Sequence, residues 1–164
     1  MASPVNVDTV ISASWILPIV PANTVLENCA IAIDNGAIVA LCTQREASQR
    51  FVAGEKIELP GQLLMPGLVN AHCHSAMSLL RGFADDLPLQ RWLNEAIWPA
   101  ETALVCEEFV AAGSRLAIAE MISSGTTSFA DMYFFPEATA REAAAAGLRA
   151  QLAAPIFDNS GCWG

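Results

Sequence analysis

His72 and His74 are the only histidines in the chain, and they stand two residues apart at the end of the apolar run Leu63-Leu64-Met65-Pro66-Gly67-Leu68-Val69-Asn70-Ala71. Imidazole is the commonest side-chain ligand for metals. On an extended strand the side chains of residues i and i+2 leave the same face, with Cα atoms roughly 6–7 Å apart, so one ion can bridge two such rings. The apolar run reads as the buried strand that this geometry needs, and the spacing therefore predicts half of a metal site. Cys73 lies between the two and points to the opposite face, where packing rather than ligation is expected. A catalytic zinc usually takes three protein ligands and keeps a position for water. Oxygen ligands would come from Asp85, Asp86, Glu101, Asp131 or Asp158, none of which has a diagnostic spacing to the pair, or from residues beyond Gly164.

The elements that must position this pair differ on its two sides. Residues 1 to about 60 read as short strands, clearest in Cys29–Asp34 and Ala37–Cys42 around Asn35-Gly36. Asn-Gly between two apolar runs is a strong hairpin signal, because a type I′ turn needs positive φ at both central residues. A short helix is expected around Gln44 to Val52, and Leu59-Pro60-Gly61 marks a boundary. From Leu63 onward strands alternate with helices, the pattern of parallel βα units. The first strand is expected to run into His74. Asp85-Asp86-Leu87-Pro88 is a turn, Gln90 to Ile97 a short helix ending before Trp98-Pro99, and Val105, Phe109, Ala112, Leu116 and Ala119 form one apolar helical face closed by Gly125. Thr126–Asp131 is the second strand, Pro136 opens a helix that Gly147 stops, and Gln151 to Phe157 is the third strand.

This pattern predicts an α/β fold: residues 63–164 as the first three strands and two crossovers of a (β/α)8 barrel, preceded in residues 1–62 by a hairpin-rich segment of short strands. The histidines end a strand, where barrel enzymes carry their catalytic groups, and no Gly-rich phosphate loop follows to favour a dinucleotide-binding fold.

Composition narrows the function classes. Of the 164 residues 54% are hydrophobic and 15% charged, so much of the surface is expected to be covered. A net charge of -9 argues against a phosphate-binding surface for nucleic acid. The uncharged stretch Thr9–Leu26 is interrupted by Pro18, Pro21 and Asn23, and no basic leader precedes it. No membrane association and a cytoplasmic location are expected. Cys29, Cys42, Cys73, Cys106 and Cys162 are odd in number and form no C-x-x-C pair, so reduced thiols are expected.

The run Met65-Pro66-Gly67-Leu68-Val69-Asn70-Ala71-His72-Cys73-His74, followed by Leu79-Leu80-Arg81-Gly82, Trp98-Pro99-Ala100-Glu101, Gly125-Thr126-Thr127 and Asp131-Met132-Tyr133, resembles the amidohydrolase superfamily. Within it the likeness is to the N-terminal part of 5-methylthioadenosine/S-adenosylhomocysteine deaminases, with triazine hydrolases close by. The resemblance implies a metal-dependent barrel preceded in residues 1–62 by strands of a composite β-sandwich, His72 and His74 as ligands of one divalent metal, Zn2+, and Glu101 as the acceptor of hydrogen bonds from the ribose hydroxyls of a nucleoside. It implies hydrolytic deamination of an adenine nucleoside, in which metal-activated water attacks C6 of the ring and ammonia leaves. Trp92, Trp98, Phe83 and Met77 are candidates to line a pocket for a thioether or an adenine ring. Chlorotriazine hydrolysis and guanine deamination use the same attack and are the alternatives.

The family pattern departs here in one residue, Cys73, where threonine is common. It also requires a third histidine, an H-x-x-E glutamate and a late aspartate. A complete barrel takes about 250 residues, and about a hundred follow residue 62. The reading therefore expects a truncated barrel, with the general acid/base beyond Gly164 and no catalytic residue within the chain. A non-catalytic fragment, or a binding partner of a full-length relative, is the alternative of another class; a full-length form leaves a homo-oligomer open.

Overall fold

The computed structural model describes residues 3–156, which form two compact units divided between Pro66 and Gly67. The first is a four-stranded mixed sheet in the order β3-β2-β1-β4, made of β1 (Val5–Ile16), β2 (Leu26–Asp34), β3 (Ala37–Thr43) and β4 (Phe51–Leu64). The β2–β3 hairpin turns at Asn35 and Gly36, with φ of 49° and 74°, as the Asn-Gly pair demands. Helix α1 (Gln44–Arg50) opens with a reciprocal capping box between Thr43 and Glu46. It ends at Arg50 rather than Val52, because Phe51 already belongs to β4.

The expected boundary at Leu59-Pro60-Gly61 is overturned: β4 runs through it to Leu64. Between the pairs Ala13↔Leu59 and Trp15↔Leu63 the parallel β1–β4 register slips, so Pro60 and Gly61 sit in a bulge. A bulge is where a strand tolerates a proline, which has no N–H to donate. Gly61 takes φ of 70° there, and its N–H donates to Ser14 Oγ at 2.8 Å.

In the second unit β5 (Leu68–Cys73), β6 (Thr126–Met132) and β7 (Arg149–Ala153) form a parallel sheet in sequence order. The first strand of this sheet therefore begins at Leu68, since Leu63 and Leu64 complete β4. It is not a buried strand: Leu68 and Val69 are 49% and 67% exposed, because β5 is an edge strand among the described residues. The third strand starts at Arg149 and stops at Ala153, and Phe157, its expected end, lies outside the described residues.

Between β5 and β6 the chain makes a 3-10 turn (Ser75–Leu80), then α2 (Leu89–Arg91), a π-helical turn (Trp92–Ile97), α3 (Trp98–Leu104) and α4 (Glu107–Ser123). Trp98-Pro99 does not separate two helices. The Trp98 N–H bonds to the Leu93 carbonyl, five residues back, and this wide turn carries the helix into Pro99, which tolerates a first-turn position. Gly125, at φ of 82°, follows the end of α4, and Gly147, at 72°, closes α5 (Pro136–Ala146). Among the described residues no helix is long and apolar enough to cross a membrane.

The buried face of α4 is Val110, Gly113, Ser114, Ala117, Ile118 and Met121, and Leu116 and Ala119 of the expected face are exposed. Size, not hydrophobicity, decides this. A Cβ on Gly113 would lie 2.4 Å from the Ala76 carbonyl oxygen, so only a small residue admits the 3-10 turn that follows His74. Gly113→Ala gains helix propensity of about 1 kcal/mol but must push backbone apart. The expected net effect in urea unfolding is a loss of about 1–2 kcal/mol, with exposed Leu116→Ala staying within about 0.5 kcal/mol. Parent-like stability of Gly113→Ala would show that the contact is slack.

Candidate metal and nucleoside site

The parallel ladder between β5 and β6 pairs Asn70 with Phe129 and next pairs Cys73 with Asp131, so three steps on β5 face two on β6. The irregularity falls on Ala71 and His72 and turns the end of β5 out of plain strand geometry. His72 and His74 converge as a result: their Nε2 atoms are 3.4 Å apart and the rings meet edge to face, with centroids 5.2 Å apart. His74 Nδ1 lies 2.7 Å from the Met132 carbonyl oxygen. A carbonyl can only accept, so Nδ1 carries the proton and Nε2 presents a lone pair towards His72. Two Zn–N bonds of about 2.0–2.1 Å at a tetrahedral angle subtend about 3.3–3.4 Å, so the Nε2 separation matches that of two nitrogens on one zinc.

Cys73 packs with its half-buried thiol against the cluster of Ala117, Ile118, Met121, Phe129 and Ala143, away from the imidazoles. Burial, then the charge of Asp131, pushes its pKa up to about 12. Cys29, Cys42 and Cys106 are also free thiols, and Cys162 lies outside the described residues.

Asp131 is a correction to the list of oxygen donors. Phe129 and Asp131 alternate onto the helix-facing side of β6, where Asp131 is buried beside Cys73, its partner in the ladder. Its Oδ1 accepts the Ser75 N–H at 2.7 Å and its Oδ2 accepts the Ser75 hydroxyl at 3.1 Å. Burial raises its pKa, and these two bonds, with the nearby His74, oppose the rise. Asp85 and Asp86 are exposed in the turn after Gly82, and Asp158 lies outside the described residues. Among the described residues no three His, Cys, Asp or Glu side chains gather as a metal cluster. The pair therefore has no third protein ligand within residues 3–156.

Glu101 is neither solvated nor a helix cap but buried, 8% exposed, in the first turn of α3. Tyr133 donates its hydroxyl to Glu101 Oε1 at 2.8 Å. Desolvation raises the Glu101 pKa, and the Tyr133 bond and His74 hold the rise back. Glu101 and His74 share one cavity of about 220 Å3, walled by Met77, Trp92, Trp98 and Phe134 among others. Phe83, expected in this wall, is 46% exposed and outside it. The cavity is smaller than the roughly 300–1,000 Å3 of a typical ligand pocket, room for part of a small molecule against an apolar wall. Tyr133 and the Met132 carbonyl had no individual signal in the sequence beyond standing next to Asp131.

The profile of the amidohydrolase family matches residues 63–161, and the chain belongs to that family. Over 164 residues it is 51% identical to a 5-methylthioadenosine/S-adenosylhomocysteine deaminase of Saccharophagus degradans, a match that covers 100% of this chain and 37% of the relative. It is 46% identical to a crystallised adenosine deaminase of Xanthomonas campestris with bound zinc, with a TM-score of 0.93 over 98% of this chain and 36% of that one. An atrazine chlorohydrolase of Arthrobacter aurescens TC1 complexed with zinc shares the fold, at 21% identity and a TM-score of 0.78 over 89% of this chain and 35% of that one. The chain thus spans little more than a third of the length of the proteins it matches.

Tyr133→Phe leaves a buried carboxylate without its phenolic donor. A hydrogen bond to a charged group contributes about 1.5–3 kcal/mol, and a loss of that order is expected in urea unfolding at neutral pH. An unchanged midpoint would mean that water replaces the phenol.

Proposed function

We propose that this chain supplies the front of the active site of a zinc-dependent aminohydrolase acting on an adenine nucleoside of the 5-methylthioadenosine or S-adenosylhomocysteine type. One observation carries the reading: an Nε2 pair set 3.4 Å apart, one member of which opens onto the same cavity as a buried carboxylate. The relatives named above support the substrate class.

His72 and His74 would hold the ion through Nε2, with the His74 Nδ1 proton kept on the Met132 carbonyl. When bound, such an ion would supply Lewis acidity and lower the pKa of a water towards neutrality. Glu101 accepts the vicinal hydroxyls of the ribose. Oε1 already serves Tyr133 and keeps a second lone pair, while Oε2 offers two, so both sugar hydroxyls find acceptors. Met77, Trp92 and Trp98 exclude water and receive an apolar part of the nucleoside, its flat base or its thioether. The proton-carrying acid that lets ammonia leave is not assigned to this chain. Two imidazoles fall short of the three protein ligands a catalytic zinc takes, so residues 1–164 alone are expected to release no ammonia from adenine nucleosides.

The test is a chimera in which residues 1–164 replace the matching segment of the Xanthomonas campestris protein. His72→Ala and His74→Ala are each expected to strip the bound zinc, and full occupancy in both would end the metal assignment. Glu101→Gln is expected to lower kcat/KM for a ribonucleoside by about 10–100-fold, the loss of a charge-assisted hydrogen bond, and to spare a substrate lacking the diol. Equal losses would remove the ribose role. Turnover of a chlorotriazine without turnover of the nucleosides would move the assignment to the triazine hydrolases.

A further inference from the structure

We infer that Asp131 is a positioning residue for the histidine pair, clamping the chain at Ser75 so that His74 is presented with its Nε2 towards His72. The inference rests on the reading of the pair as metal ligands, and Asp131 and Ser75 themselves lie outside the lining of the cavity that His74 and Glu101 share. Regular β5–β6 pairing gives way over Ala71 and His72, and Cys73 is the last residue of β5. His74 is off the strand, at φ −128° and ψ 71°, and the chain turns directly into the 3-10 segment at Ser75. The ladder no longer fixes the direction of His74 here.

Two consecutive residues of β6 take over. The Met132 carbonyl holds His74 Nδ1 at 2.7 Å, and the Asp131 carboxylate grips Ser75 through both oxygens, by its N–H at 2.7 Å and its hydroxyl at 3.1 Å. A two-point grip on one residue fixes both position and rotation of the peptide just past His74, which a single bond cannot do. The clamp is itself anchored in the helix layer. Ser75 Oγ lies 3.4 Å from Ser114 Oγ on α4, which lies 3.0 Å from Thr139 Oγ1 on α5, and Ser75, Ser114 and Thr139 are at most 2% exposed. Because the Ser75 proton goes to Asp131, the Ser114 proton serves Ser75 and the Thr139 proton serves Ser114. All three hydroxyl dipoles thus point towards the carboxylate. Such a directed buried chain strengthens the grip on an ionised acceptor.

The experiment uses the 164-residue chain, first without metal. Long-range 1H–15N spectra of the imidazoles are expected to show His74 as the Nδ1–H tautomer, and Asp131→Asn, which can no longer accept from both Ser75 donors, is expected to give mixed tautomers. In zinc titrations Asp131→Asn is expected to bind about 10–100-fold more weakly, the usual effect of losing a group that orients a ligand, and Ser75→Ala, which keeps the N–H bond, severalfold more weakly. Thr139→Ala removes the far end of the same buried chain. It is expected to lower the unfolding midpoint with a much smaller effect on the His74 tautomer and zinc affinity than Asp131→Asn, because Ser75 keeps both of its bonds to Asp131.

A parent-like tautomer and affinity in Asp131→Asn would overturn the inference. So would an equal loss of affinity in Thr139→Ala, which would reduce the effect to core stability. If His72→Ala leaves zinc binding intact, the metal reading fails, and the metal-free tautomer spectrum still decides whether Asp131 sets His74.

Discussion

Where β5 stops pairing with β6, the chain is tied down by side chains instead of by the ladder. A parallel strand pair fixes direction through evenly spaced backbone bonds, and the last pairing here, Cys73 with Asp131, falls just before His74. The Met132 carbonyl and the Asp131 carboxylate replace such bonds, one on the ring of His74 and one on the next residue. His74 leaves strand geometry at this point, and its Nε2 lies 3.4 Å from that of His72. This replacement also separates duties between two neighbouring residues of β6: Asp131 faces the helices and holds the scaffold, and the backbone of Met132 faces the imidazole.

The helix layer must come close for this to work. Gly113 and Ser114 on α4 are small, so the turn after His74 lies against the helix backbone, with the Ser114 hydroxyl in contact with Ser75. Arg141 on α5 pairs with Glu107 at the start of α4, an exposed pair of the kind that adds little stability, so the alignment of the two helices rests on their buried small side chains. On the other side, the π-helical turn before Pro99 brings Trp92 and Leu93 into the same cavity wall as Glu101. Buried acid, apolar wall and imidazole thus reach one cavity from three separate segments, and Tyr133 of the cavity lining bonds the acid.

Part of this was legible in the residues. The Asn35-Gly36 hairpin, the stops at Gly125 and Gly147 and the start at Pro136 rest on local backbone preferences, which act within a few residues and need no tertiary partner. Local signals failed where packing overrode them. Pro60-Gly61 reads as a break, yet β1 pairs on both sides of the bulge and carries the strand through. Leu116 reads as core, yet the close approach demanded Gly113 and Ser114 instead. Phe83 is aromatic and near in sequence to the cavity residues, but its turn leaves it in solvent.

The sequence by itself determined the kind of chemistry: two imidazoles at i and i+2 at the end of a strand, a parallel βα order behind them, and the run around them that marks the amidohydrolase family. Spacing along a strand is a local property, so two residues suffice to state it. Only the tertiary structure decided what each acidic residue does. Asp131 and Glu101 are both carboxylates without diagnostic spacing, and they differ because one points into the helix layer and is bound by Ser75, whereas the other points into the cavity and is bound by Tyr133. Which side of a sheet a carboxylate faces, and which donor meets it there, depends on partners 56 and 32 residues away in the chain, and such distant pairings exist only once the chain has folded.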